Sequence, residues 1–188
     1  AVGKEGDLNA TTMSWGSIGE LWGKPIVTVV VDHSRYTYSL MGLYDYFTIT
    51  AFPKKMNGAL DYIGSHSRKT DKNKIQNAGL TTMFTELGNP TFKEGNLIIE
   101  CRTIYEAPID VDNMLDDDII KMYQDNKLKH TMFVGEIVNV SAQESILAPD
   151  GKIDPTLLCP IVFDPVRNTY NVIGEVVGKA FSDGLKLK

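Results

Sequence analysis

Six residues in a row, Ile26-Val27-Thr28-Val29-Val30-Val31, are β-branched. Stiffness at χ1 makes such a run a poor helix and a good strand. Its nearly unbroken apolar character predicts a strand buried on both faces. Pro25 stands at its start, where a missing N–H is tolerated. A strand of this kind needs partners, and the chain offers them at Tyr46–Ala51, Asn96–Tyr105 and Thr131–Ala142. A further pair, Pro160–Phe163 with Tyr170–Ile173, flanks Asp164-Pro165. The helical segments are short. They are Arg35–Leu43 behind Ser34 as N-cap, Asn57–Ile63, and Lys72–Asn77 ended by Gly79. Another runs over Ile119–Tyr123, with Asp116-Asp117-Asp118 placed to favour a helix start. Asp150-Gly151 marks a turn. Strands outnumber helices and do not alternate with them regularly, which argues against a doubly wound parallel sheet. The pattern predicts a mainly β fold with short helices, an antiparallel barrel carrying helical insertions.

A length of 188 residues predicts one domain, 1–188, with a substantial core. Ala1-Val2, just before the turn-like Lys4-Glu5-Gly6-Asp7, reads as the tail of a strand that is incomplete at this end. A net charge of −5 makes the whole chain a poor electrostatic match for nucleic acid. The longest apolar runs fall far short of a membrane span, and no signal-peptide pattern opens the chain. The expectation is a cytoplasmic protein with no membrane partner. Cys101 and Cys159 lie far apart in apolar contexts and read as reduced core thiols. There is no G-x-G-x-x-G after a strand and no phosphate-binding G-x-x-x-x-G-K-[ST]. His33, His66 and His130 lack metal-ligand spacing, so no metal is expected. The Asp116–Asp118 run reads as a solvated helix start.

Three segments carry chemistry. Asn9-Ala10-Thr11-Thr12-Met13-Ser14-Trp15-Gly16 packs hydroxyls, an amide and an indole into eight residues. Its hydroxyls and backbone amides can bond the edge of a flat heteroaromatic ring, Trp15 can lie near the ring face, and Gly16 permits close backbone approach. The plainer reading is a strand with a buried Trp. Ser34-Arg35-Tyr36-Thr37 falls at a predicted helix start, where free N–H groups favour an anion. Arg35 adds a bidentate cation, and Ser34 and Thr37 add hydroxyls. Taken alone it reads more readily as an ordinary capped helix with an exposed Arg. The stretch from His66 to Lys74 holds four cations and one acid in an acidic chain, with Ser65 and Ser67 at its start. It is either a second phosphate contact, through Arg68, Lys69 or Lys72, or a solvated basic loop.

Occurring together and in this order, these segments resemble the flavin reductase-like, FMN-binding split-barrel family. The similarity runs from about Gly3 to Ala142, with a weaker continuation at Gly174–Lys179. In that family an N-A-x-T-x-S-W-G strand cradles the flavin ring, and an S-R-Y-T helix start and a G-S-x-S-G-R loop hold the phosphate. Here these correspond to Asn9–Gly16, Ser34–Thr37 and Gly64–Lys72. His130 with Phe133-Val134-Gly135-Glu136-Ile137 resembles the family's cofactor-side strand. The family's Gly-Arg-Asp after the loop serine reads Arg68-Lys69-Thr70 here. A position often Cys in the family is Ile63, so no thiol chemistry is inferred there.

The resemblance implies an antiparallel split β-barrel that binds FMN, forms a homodimer and moves electrons. One form is an NAD(P)H:flavin oxidoreductase, in which hydride passes from nicotinamide to flavin once the rings stack. In that form no general acid or base is obligatory, and His130 and Trp15 are the candidates for lining the reacting face. The other is a flavoredoxin-like carrier that passes electrons between redox proteins without fast NAD(P)H turnover. A pyridoxamine-phosphate-oxidase-like barrel holding another ligand is the third.

Overall fold

A computed structural model describes residues 1–173. The chain opens with β1 (Val2–Lys4) and β2 (Asp7–Asn9), joined by a turn in which Gly6 takes φ +83°. An irregular segment leads to β3 (Gly16–Leu21) and β4 (Lys24–Asp32). Then come α1 (Tyr36–Met41), β5 (Tyr46–Ala51), α2 (Asn57–Ser65) and α3 (Lys74–Asn77). A small hairpin, β6 (Thr82–Phe84) with β7 (Pro90–Phe92), precedes the long β8 (Leu97–Pro108). After α4 (Asp117–Asn126) and β9 (His130–Ala142), α5 (Pro155–Leu158) leads to the hairpin β10 (Ile161–Asp164) and β11 (Thr169–Val172).

Seven strands form one sheet in the order β2-β1-β5-β8-β9-β4-β3, with every neighbouring pair antiparallel. The sheet curls. Three strands separate Val2 of β1 from Val27 of β4 in that order, yet both join one core cluster with Leu40, Phe47, Cys101 and Phe133. The ends of the sheet remain unpaired with each other, so the barrel is split rather than closed. A second core, containing Leu8, Phe52, Ile63, Ile75 and Phe92, lies beneath α2 and α3.

Gly135 of β9 shows how tightly the first core is filled. A Cβ there would stand 2.6 Å from the Phe47 ring and 2.7 Å from Cys101 Cβ. Next to it, Glu136 pairs with Lys24 of β4 and Arg102 of β8, tying three strands together. The Gly-Glu pair of the predicted cofactor-side strand thus has packing and cross-strand work of its own. Glu100 of β8 is fully buried and accepts hydrogen bonds from Thr85, Asn89 and Asn139. Cys101 is a free core thiol whose burial pushes it up to about 12, and Cys159 is free and half-buried.

Several expectations need correction. The β-branched run is core on one face: Val27, Val29 and Val31 are buried, while Thr28 and Val30 are half-buried. Asn9–Gly16 is not a strand throughout. It spans the end of β2, the irregular Ala10–Trp15 and the first residue of β3, and Trp15 is 46% exposed. Ser34 does not cap α1; the helix begins one residue later, behind Arg35, and the Ser34 N–H itself donates to Asp32. The helix also ends at Met41, where the Leu40 carbonyl accepts from both Leu43 and Tyr44 and turns the chain. β3 and the β6–β7 hairpin were not anticipated, because neither has a long β-branched run. The acidic helix start holds: Asp116 accepts from the Ile119 N–H. Gly174–Lys179 and the basic tail Gly178–Lys188 lie outside the described residues. Among the described residues no helix is long and apolar enough to cross a membrane.

Candidate functional site

A cleft of about 260 Å³ opens between the Ala10–Trp15 segment, the C-terminal end of β4 and the start of β9. The segment is anchored at both ends. At its start, the buried Asn9 amide donates to Thr37 Oγ1 at 2.9 Å. At its far end the Val30 N–H donates to the Trp15 carbonyl. Gly16 follows directly, and a Cβ there would meet the Thr28 carbonyl at 2.3 Å. Gly16 is therefore required for contact with β4 rather than for access to the cleft.

Thr11, Thr12, Met13, Ser14 and Trp15 form one wall. Val29–Asp32 and the central residues of β5, Phe47–Ile49, form the floor. Arg35, Thr37, Gly64 and His130 line the cleft as well. The end of α2 approaches Thr12 so closely that a Cβ on Gly64 would lie 2.6 Å from Thr12 Oγ1. The lining thus combines apolar side chains, hydroxyls, one cation and aromatic rings. That is the usual composition of a small-molecule or cofactor pocket.

The aromatic side is a stack. Trp15 and His130 lie 4.8 Å apart between centroids, 29° from parallel. Tyr123 of α4 packs on His130 at 5.4 Å. Burial holds the His130 imidazole below its ordinary value; the Asp32 carboxylate opposes this and His33 adds to it. At neutral pH the ring is therefore neutral. Asp32 remains a carboxylate: burial raises it, but the hydrogen bonds from Ser34 outweigh that, helped by Arg35 and, in the acid range where the imidazole is charged, by His130.

The cationic end extends beyond the cleft. Arg68 sits over the Tyr36 ring at 5.7 Å, and the Lys69 ammonium donates to the Ser34 carbonyl at 2.6 Å. The two basic segments of the sequence are thereby joined across α1. The other predicted residues make local contacts. The Tyr36 hydroxyl donates to Asp7, the Ser65 hydroxyl donates to the Asp61 carbonyl, and Ser67 Oγ accepts from the Lys69 N–H. Lys72 is exposed.

The structure therefore gathers Thr11, Thr12, Met13, Ser14, Trp15, Arg35, Thr37 and His130 around one cleft. Asn9 and Gly16 stand behind its wall. Ser34, Tyr36, Ser65, Ser67, Arg68, Lys69 and Lys72 lie outside it, on the cationic rim or beyond. Gly64, the first residue of the predicted loop, lines the cleft, whereas Asp32 and Lys74 are not singled out by the sequence as site residues. Asp32 had a signal, since it ends the β-branched run and precedes the Ser-Arg segment. Lys74 was counted among the cations, but nothing in its neighbours foretold that it would be buried.

A family model described as a flavin reductase like domain matches residues 1–164. The chain belongs to the flavin reductase-like family. It is similar to the flavoredoxin of Desulfovibrio vulgaris (Miyazaki F), with 28% identity and a TM-score of 0.76 over 94% of this chain and 84% of that one. The flavoredoxin from Methanosarcina acetivorans shares the fold at 23% identity and a TM-score of 0.78, over 100% and 89% of the two chains. Component B of nitrilotriacetate monooxygenase from Bacillus cereus does so at 21% and 0.67, over 95% and 83%. No curated protein matches the chain.

Proposed function

We propose that the cleft binds FMN and that the protein is an NAD(P)H-dependent flavin oxidoreductase. The observation that carries this reading is the composition of the site: apolar side chains and hydroxyls line one cleft together with Arg35, and Arg68 and Lys69 sit on its neighbours Tyr36 and Ser34. The residues fit the group. Thr11, Thr12 and Ser14 would bond the edge of the isoalloxazine, with Met13 and Trp15 beside it. Arg35 and Thr37, with Arg68, Lys69 and Ser67 from the neighbouring loop, would hold the phosphate. Bound flavin supplies hydride and electron chemistry, while the protein supplies orientation and exclusion of water. His130, neutral and stacked on Trp15, would shape the side from which nicotinamide approaches.

A homodimer is part of the same reading. β3 is exposed along its whole length, and Ile18, Trp22, Val138 and Val140 are exposed apolar residues. A sheet edge and an apolar surface of this kind are commonly covered by another chain.

The carrier reading has one observation of its own. Asp110, Asp112 and Asp116 in the connection before α4, with Asp117 and Asp118 in its first turn, are all exposed, and Tyr123 of the same helix touches His130. An acidic surface joined to the cleft suits a basic redox protein. Anaerobic mixing of the FMN-loaded protein with NADH or NADPH separates the two. Bleaching of the flavin band within seconds supports the reductase. Reduction by dithionite but by neither nucleotide sinks it and leaves the carrier.

A further inference from the structure

Lys74 is 3% exposed, an unusual place for an ammonium group. Its Nζ donates to the Ile63 carbonyl at 3.1 Å and to the His66 carbonyl at 3.0 Å. Those two carbonyls bracket Gly64, the residue of α2 that forms the cleft wall and presses on Thr12. Among the described residues Lys74 makes no ion pair. The carboxylate nearest in the chain, Asp71, is occupied by the Tyr62 hydroxyl, the Asn77 amide and the Asn73 N–H.

Three charged groups act on Lys74, from two places in the chain. The charges of Arg35, at the start of α1, and of Arg68 and Asp71, in the loop between α2 and α3, bear on it. Two of the three are cations. A buried charge with carbonyl partners and like-charged neighbours is costly to keep, and removing a like charge or adding an anion relieves it.

We propose that Lys74 is a positioning residue for the phosphate of the bound flavin: it fixes the 63–66 turn against the cleft and adds a buried positive charge that an anion beside Arg35 compensates. This rests on the flavin reading above. It adds a pH dependence to phosphate recognition. Burial, then Arg35, with Asp71 opposing and Arg68 adding to the effect, bring the Lys74 ammonium down to about 8. Below that pH the charge is present and attracts the anion. Above it the charge is lost while both arginines remain.

The test compares FMN with riboflavin, which lacks the phosphate. Taking the ratio of their dissociation constants cancels every group that touches only the ring. In the wild type the preference for FMN should fall several-fold between about pH 7 and about pH 9.5, the interval that brackets the lowered ammonium and precedes an ordinary one. Lys74→Met should lose about tenfold in FMN affinity with riboflavin affinity nearly unchanged, and its preference should be flat with pH. Lys74→Arg should restore the preference and hold it at high pH, since guanidinium does not titrate there. A folded Lys74→Met that keeps the wild-type preference, or that loses both ligands equally, overturns the proposal. Should that variant fail to fold, a wild-type preference that is flat with pH does the same. Absence of FMN binding by the wild type at pH 7 is a different result: it overturns the flavin reading, and this inference with it.

Discussion

Trp15 and His130 come from distant parts of the chain, yet their rings stack at 4.8 Å on the wall of one cleft. The indole is held by the Val30 hydrogen bond to its own carbonyl, and the imidazole by its place at the start of β9 opposite Asp32. Each ring therefore fixes the other's position. In His130→Ala, flavin reduction by NAD(P)H should slow by more than tenfold, while FMN affinity changes by less than about threefold. Stopped-flow reduction and equilibrium titration of the same variant give the two numbers. Equal losses in both would mean that His130 only supports the ring site.

Arg35→Ala should weaken FMN binding by about 1.5–3 kcal/mol, the scale of a hydrogen bond to a charged group. Riboflavin should be nearly indifferent. Arg68→Ala and Lys69→Ala should give smaller losses, because Arg68 rests on Tyr36 and Lys69 already serves the Ser34 carbonyl. Titration with both ligands distinguishes a phosphate contact from a general loss of shape.

Gly64→Ala tests the close approach to Thr12. The new methyl meets the hydroxyl end of a flexible side chain, so the fold should tolerate it while Thr12 turns away. FMN affinity should fall about fivefold, near 1 kcal/mol, with unfolding midpoints unchanged. In Thr12→Ala/Gly64→Ala the collision is gone, and the double variant should bind no worse than Thr12→Ala alone. Additive losses would mean that the new methyl acts on the site independently of Thr12.

Glu100 gives the fold an acid limit. Burial raises its carboxyl, but the hydrogen bonds from Thr85, Asn139 and Asn89 outweigh this and hold it below the ordinary range. A depressed carboxyl stabilises the fold fully above its unfolded value, and that stabilisation is lost as pH falls through the folded value. Glu100→Gln should cost about 1–3 kcal/mol at neutral pH, because an amide N–H then faces the donors of Asn89 and Asn139. The cost should shrink as the pH drops below 4.5, the ordinary value for this carboxyl. Urea unfolding at several pH values measures both.

What the sequence disclosed followed the range of the forces involved. β-branched and aromatic runs at Tyr46–Ala51 and His130–Ala142 announced their strands, since the preference is local. β3 was hidden because Gly16, Ser17 and Gly19 dilute its pattern and β4 alone holds it in the sheet. The loop hydroxyls, Arg35 and His130 were legible because their residue types and order were distinctive. The burial of Lys74 was not, since it depends on carbonyls eight and eleven residues away meeting its ammonium. Gly135 was legible as a motif residue, but its reason, the Phe47 ring and Cys101 of two other strands, exists only in three dimensions.

The central claim is that this cleft is a flavin site, and Trp15 reports on it directly. The chain has two tryptophans, so a Trp22→Phe background leaves Trp15 as the indole emitter. Titrating that protein with FMN should quench its emission saturably at about one flavin per chain, with a dissociation constant of about 1 μM or tighter. The flavin's visible bands should shift over the same range. An unchanged Trp15 emission and an unshifted flavin spectrum at micromolar protein would contradict the account.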